Sequence, residues 1–165
     1  EVRIVDENMQ DVPVGEIGEI VYRGPTLMKE YYKKPEETNE AFKGGWFHSG
    51  DLVSIDEEGF IYVRDRQKDM IISAGENIYP AEVEGVLYKH AGIFEVAVVG
   101  VPDEQWGESV KAYIVLKEGY TLTDQEVIDH CAPLLASYKK PKYVEFIDQL
   151  PRNASGKILK RLLKQ

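Results

Sequence analysis

The chain is poor in covalent restraint: Cys131 is its only cysteine. No internal disulfide can form, which fits a reducing compartment and a cytoplasmic location. Cys131 lies in an apolar helical stretch with no histidine pattern beside it, so it reads as a small buried hydrophobe rather than a nucleophile. Long apolar runs are also missing. None approaches the ~20 residues of a membrane helix, so no integral membrane segment is expected. No basic stretch leading into an apolar one marks a secretory signal. Repeats, low-complexity tracts and an internal metal-ligand set are likewise not evident. Positive charge is scarce over most of the chain. The net charge is −9, yet residues 136–165 hold eight Lys/Arg against two Asp/Glu, leaving twelve against twenty-seven in residues 1–135. An acidic body disfavours nucleic acid, and the basic end suits a phosphorylated small ligand. The chain opens on Glu1 without a methionine. The expectation is therefore a piece of a longer protein.

What is present reads as an α+β chain. Residues 2–5 and 18–23 have strand patterning, and residues 35–42 are helical, entered through Pro35 with Glu36 and Glu37 in the first turn. Leu52-Val53-Ser54 and Phe60-Ile61-Tyr62-Val63 flank Asp56-Glu57-Glu58-Gly59, a hairpin signal. Past Arg66 the pattern changes. A short strand over 70–73 precedes a glycine loop and a helix opened by Pro80, with Val83, Val86 and Leu87 on one face. Residues 96–101, 112–116 and 143–147 read as strands. Thr123-Asp124-Gln125-Glu126 is a capping box ahead of Val127, Ile128, Cys131, Leu134 and Leu135. Ser155 is expected to cap a last helix carrying Ile158, Leu159, Leu162 and Leu163. A domain boundary is expected at 66–68. The first third has too few strands to close a sheet, and its edges need a partner.

Three charged or glycine-bearing motifs carry the chemistry. Lys157 follows Ser155-Gly156, and at a helix start it would present a compact positive charge to a phosphate or carboxylate. The upstream glycine of a nucleotide P-loop is absent. Asp51 follows Gly50 in Trp46-Phe47-His48-Ser49-Gly50-Asp51; a carboxylate accepts two hydrogen bonds and suits a ribose diol. Arg64-Asp65-Arg66-Gln67-Lys68-Asp69 stands where the composition changes, as a linker would. On local grounds each of these also reads as ordinary surface or turn chemistry.

Taken in order, Trp46–Asp51, Arg64–Asp69, Gly75-Glu76-Asn77-Ile78-Tyr79-Pro80 and Pro151–Lys157 resemble the motifs of the C-terminal part of acyl-adenylate-forming enzymes, AMP-forming acyl-CoA synthetases above all. The resemblance covers essentially the whole chain. It implies that residues 1–66 are the β-rich end of a large adenylating domain and residues 67–165 a small mobile α+β domain, a short sheet flanked by helices. It implies that Asp51 and Arg66 bind the nucleotide, that Lys68 is the hinge pivot, and that Lys157 serves adenylation. Gly75, Glu76 and Asn77 would line the pantetheine tunnel, and Lys139 and Lys140 would meet CoA phosphates. Asp65 stands where the family usually has glycine. ATP, Mg²⁺ (held mainly by parts upstream of Glu1) and CoA are the implied cofactors, with a carboxylic acid, a medium- or long-chain fatty acid by overall likeness, as substrate. Two alternatives remain open: an adenylation domain loading a carrier-protein pantetheine, and a non-catalytic module of the same fold.

Overall fold

The computed structural model describes residues 1–164 and divides into two compact units, Glu1–Lys68 and the chain from Asp69 onward. The first unit is an antiparallel sheet in chain order, β1 (Val2–Val5), β2 (Gly18–Tyr22), β3 (Phe47–Ile55) and β4 (Ile61–Arg66). Successive residues of these strands point to opposite faces, so adjacent apolar residues enter different clusters. Ile4, Ile20 and Val53 form one small cluster; Val5, Val21 and Trp46 form another. Gly18 is required where β2 meets β1, because a Cβ there would lie 2.7 Å from the Val5 carbonyl oxygen. Helix α1 (Pro35–Ala41) begins at Pro35 with Glu36 and Glu37 in its first turn, as the composition implies. The hairpin at 56–59 closes through the Asp56 carboxylate, which accepts from the Glu58 and Phe60 amides. β3 is longer than its apolar run suggests. It reaches back to Phe47, so Asp51 lies within a strand rather than in the turn before one. β4 is an edge strand with Ile61, Tyr62 and Val63 exposed.

The second unit is built on one long hairpin, β7 (Ile93–Asp103) and β8 (Gly107–Leu116), in register from Glu95↔Val115 to Asp103↔Gly107, with a one-residue shift before Ile93↔Leu116. β5 (Ile71–Ser73) pairs with the start of β8 and with β6 (Glu76–Ile78), and β9 (Tyr143–Phe146) runs parallel to β8 farther along. The hairpin is covered on both sides, so its strands read as nearly continuous apolar runs. Val96, Val98, Val110, Ala112 and Ile114 face α2 (Pro80–Leu87) and α3 (Asp124–Cys131). Ala97, Val99, Val101, Tyr113 and Val115 face Leu150, Ile158 and Leu163 of the last segment. Thr123 and Glu126 form the expected capping box, a device that contributes about 1 kcal/mol. Helix α3 stops at Cys131, short of Leu134 and Leu135, which follow in turns.

The expected helix after Ser155 does not form. Gly156 has φ +83°, a left-handed turn that cannot start a right-handed helix. The chain instead folds back on itself through the Arg152↔Ile158 bridge, and only a 3₁₀ turn, Lys160–Leu162, follows. Leu163 is buried while Leu162 is 45% exposed, so the apolar spacing that suggested one helix face serves two different environments.

Candidate functional site

In the first unit, Asp51 and Arg66 are register partners on β3 and β4. The Arg66 Nε lies 2.8 Å from Asp51 Oδ1. Its N–H is not directed at that oxygen, so the contact is an ion pair rather than an aligned hydrogen bond. A β-bulge at Leu52/Val53 sets the register that brings them opposite. Gly50, at φ +70°, makes the left-handed step that turns Asp51 toward β4. Glu19, which lies outside the motif, and Ser49 within it hold this turn. Glu19 is 9% exposed on β2, and its carboxylate accepts from the Gly50 amide at 2.9 Å while lying 2.7 Å from His48 Nδ1. Ser49 Oγ donates to the Ile20 carbonyl and accepts from the Asp51 amide. His48 is thus a bracket between β2 and β3. The available signal for Glu19 is an acidic residue inside an otherwise apolar strand, Gly18–Tyr22.

Asp65, at the position of the usual glycine, accepts from the Arg66 amide with its own carboxylate at 2.7 Å. Lys68 lies in the 3₁₀ turn Gln67–Asp69, at the division between the units.

In the second unit the remaining candidates fall at three places, the Lys157 loop, Lys139 and Lys140 beside Glu82, and the β5–β6 hairpin. Lys157 stands not on a helix but on a tied loop. Asn153 Oδ1 accepts from the Ser155 amide, the Ser155 hydroxyl and the Lys157 amide, and the Asn153 amide donates to the Lys157 carbonyl. The Lys157 side chain is exposed, and among the described residues no carboxylate pairs with it. Other lysines of this unit differ: Lys160 pairs with Glu84 at 2.7 Å, and Lys142 with Asp103 at 2.6 Å. Lys139 is also committed, at 2.7 Å to Glu82, and that hydrogen bond raises its pKa. Lys140 is half-buried beside it.

Gly75, Glu76 and Asn77 lie in the β5–β6 hairpin, whose turn takes Ala74 and Gly75 through left-handed conformations at φ +52° and +84°. The turn is held from behind. The Ala74 amide donates to the Trp106 carbonyl at 2.9 Å, and the Ile72 amide to a Glu108 carboxylate oxygen at 2.8 Å. Asp103 organises that backing segment by accepting from Lys142, Ser109 and the Gln105 and Trp106 amides, which hold its carboxyl well below the usual range. The Val101–Glu108 segment is thus the tip of the long hairpin. Burial pushes the Cys131 thiol up to about 11, which leaves it without nucleophilic character at neutral pH.

These features match known proteins. Residues 82–157 match the AMP-binding enzyme C-terminal domain. The chain is 49% identical over 148 residues to the long-chain-fatty-acid–CoA ligase FadD13 of Mycobacterium tuberculosis, covering 90% of this chain and 29% of that protein. It is 51% identical over 160 residues to feruloyl-CoA synthase from an Amycolatopsis species, covering 97% and 33%. The crystal structure of ATP-bound MatB from Rhodopseudomonas palustris superimposes with a TM-score of 0.93 at 39% identity, covering 99% of this chain and 33% of that one. The chain spans about a third of the length of these relatives. The chain is thus similar to CoA ligases over nearly its whole length, and residues 82–157 carry the likeness to the AMP-binding enzyme C-terminal domain. Among the described residues no helix is long and apolar enough to cross a membrane.

Proposed function

We propose that this chain is part of an ATP-dependent acid–CoA ligase. One carboxylate oxygen of the acid attacks the α-phosphorus of ATP, forming an acyl-adenylate and releasing pyrophosphate. The CoA sulfur then attacks the acyl carbonyl, loses its proton, and AMP leaves. Mg²⁺ would screen the ATP phosphates, and no residue here is assigned to it. The Asp51 carboxylate accepts hydrogen bonds from the ribose hydroxyls, and Arg66 fixes the Asp51 rotamer and faces the same ribose. Lys157 places its charge at the carboxylate and α-phosphate during the first step. Gly75, Glu76 and Asn77 line the path of the thiol arm in the second step. Residues 1–66 belong to the adenylating domain and residues 67–165 form the mobile domain, which turns about Lys68. Lys139 and Lys140 stand near the CoA phosphates. With Lys139 already neutralised by Glu82, Lys140 is the stronger candidate.

The observation that carries this reading is the placement of two candidate groups on one rigid hairpin. Glu95, which anchors the Lys157 loop through Arg152, and Gly107, which pairs with Ser73, lie at opposite ends of β7–β8. Eight residues of strand separate Glu95 from Asp103, about 26 Å at the usual rise. Both groups cannot serve one reaction centre at once, so their use in succession requires reorientation of the unit. For the acid we take a medium- or long-chain fatty acid, supported by the likeness to FadD13. The slightly higher likeness to feruloyl-CoA synthase, 51% against 49%, makes an aromatic acid the competing class.

The test is carboxylate-dependent ATP–pyrophosphate exchange by the intact ligase containing this chain, across fatty and aromatic acids. Exchange confined to fatty acids and lost in Lys157→Ala is the expected result. Exchange with aromatic acids alone would overturn the acid assignment, and full exchange in Lys157→Ala would overturn the role of that lysine.

A further inference from the structure

The Lys157 loop is a five-residue reversal closed by the Arg152↔Ile158 bridge, and the two strands of that reversal are anchored differently. Ile158 is seated in the apolar cluster with Ala97, Val99 and Leu150. On the other strand Arg152 is exposed, so apolar burial does not hold it. Its guanidinium makes two contacts instead. Nη1 donates to the Gly156 carbonyl at 2.6 Å, and Nη2 donates to the Glu95 carboxylate. Gly156 is the residue before Lys157, and Glu95 is on β7, in the body of the sheet. One planar group therefore links the turn that aims Lys157 to the rigid hairpin. Only a guanidinium has donors set in a fixed fork that reach both acceptors together. A lysine could meet Glu95 or the carbonyl as a single point charge.

Gly156 needs this support. At φ +83° it has no atom within 4 Å of a would-be Cβ, so side-chain packing does not fix its turn. Asn153 closes the loop from inside, but its contacts all lie within the loop and leave its orientation on the sheet open. Among the described residues of the loop, Arg152 and Ile158 reach the sheet, and Arg152 is also bonded to the turn itself.

We infer that Arg152, clamped by Glu95, is a positioning residue for Lys157, setting where the lysine ammonium stands during adenylation. The inference rests on the adenylation role proposed above for Lys157. The clamp has no part in the thiol step, because the Gly75 hairpin is held from the other end of β7–β8.

The test uses the intact ligase with Arg152→Ala, Arg152→Lys and Glu95→Ala, with Lys157→Ala as control. Two half-reactions are followed: ATP–pyrophosphate exchange, and thioester formation from supplied acyl-adenylate and CoA. Misplacement of a catalytic group by about 1 Å lowers a rate on the order of 10²-fold. Arg152→Ala and Glu95→Ala are expected to lower exchange kcat by about that factor. The KM for ATP, the thioester half-reaction and the melting temperature stay near wild type. Arg152→Lys falls between wild type and Arg152→Ala. Equal loss of both half-reactions would show a structural role and overturn the inference, as would full exchange in both alanine variants. If Lys157→Ala also exchanged fully, the failure would lie in the lysine assignment. If Lys157→Ala alone lost exchange, the clamp would fail by itself.

Discussion

The two ends of the β7–β8 hairpin solve one problem in opposite ways. At the Glu95 end, a loop from far along the chain is fastened by an exposed guanidinium–carboxylate contact and one half-buried isoleucine. At the Asp103 end, the β5–β6 turn is fastened by backbone amides that donate to the Trp106 carbonyl and the Glu108 carboxylate. The first attachment is ionic and sensitive to side chains; the second is largely main-chain and integral to the sheet. A group delivered by the first is easily displaced by mutation, whereas one delivered by the second yields only when the hairpin itself is distorted.

The largest test of this contrast is Lys157→Ala. Loss of a positioned charge at a developing anion costs on the order of 10²–10³-fold, so exchange should fall by that much while thioester formation from acyl-adenylate survives. Lys68→Pro should do the reverse, sparing exchange and slowing the thioester step, because proline fixes φ at the pivot. Normal turnover in that variant would remove the pivot role. A matched pair sharpens the comparison further. Gly156 and Gly75 have nearly equal positive φ, and neither has an atom within 4 Å of a would-be Cβ. Alanine at either costs about 1–2 kcal/mol of backbone strain. Gly156→Ala should impair exchange alone, and Gly75→Ala the thiol step alone. The same half-reaction lost in both variants would break the two-ended picture.

The smallest effect concerns stability against pH at the Asp103 end. The Lys142 ammonium, then the Ser109 hydroxyl, lower the Asp103 pKa below its unfolded value of about 3.9. A lowered carboxyl contributes stability that is complete above the unfolded pKa and fades as pH falls through the folded one. Asp103→Asn should therefore destabilise at pH 7, with the difference from wild type shrinking below about pH 4. Denaturant unfolding at pH 7 and pH 3 reads it, and a constant difference would show that charge is not the cause.

Much of this fold follows from local chemistry. The Asp56–Gly59 turn, the Pro35 and Pro80 helix starts and the Thr123–Glu126 capping box are complete within a few residues, so pattern alone locates them. β6 escapes because three residues, Glu76–Ile78, carry no period and become a strand only by pairing with β5. The full length of β7–β8 escapes because Asp103 to Gly107 reads as loop, although it is the hairpin tip. The helix after Ser155 misleads because serine and an apolar stripe outweigh one glycine, whose left-handed turn decides the outcome. The site divides the same way. Asp51, Arg66 and Lys157 are legible as residue types in ordered motifs. Their supports are not: Glu19 is 31 residues from Gly50, and Glu95 is 57 from Arg152, and only the folded register brings such partners together.

The stiffness of that long hairpin has a consequence for how ligands see one another. Under the proposed turnover, pyrophosphate is handled with the Glu95 end at the centre, and the thiol with the Asp103 end there. The two would then be antagonists without sharing any binding surface, each drawing the protein into an arrangement that hides the other's contacts. A CoA analogue lacking the sulfur would weaken pyrophosphate binding, and pyrophosphate would weaken the analogue's binding by the same factor.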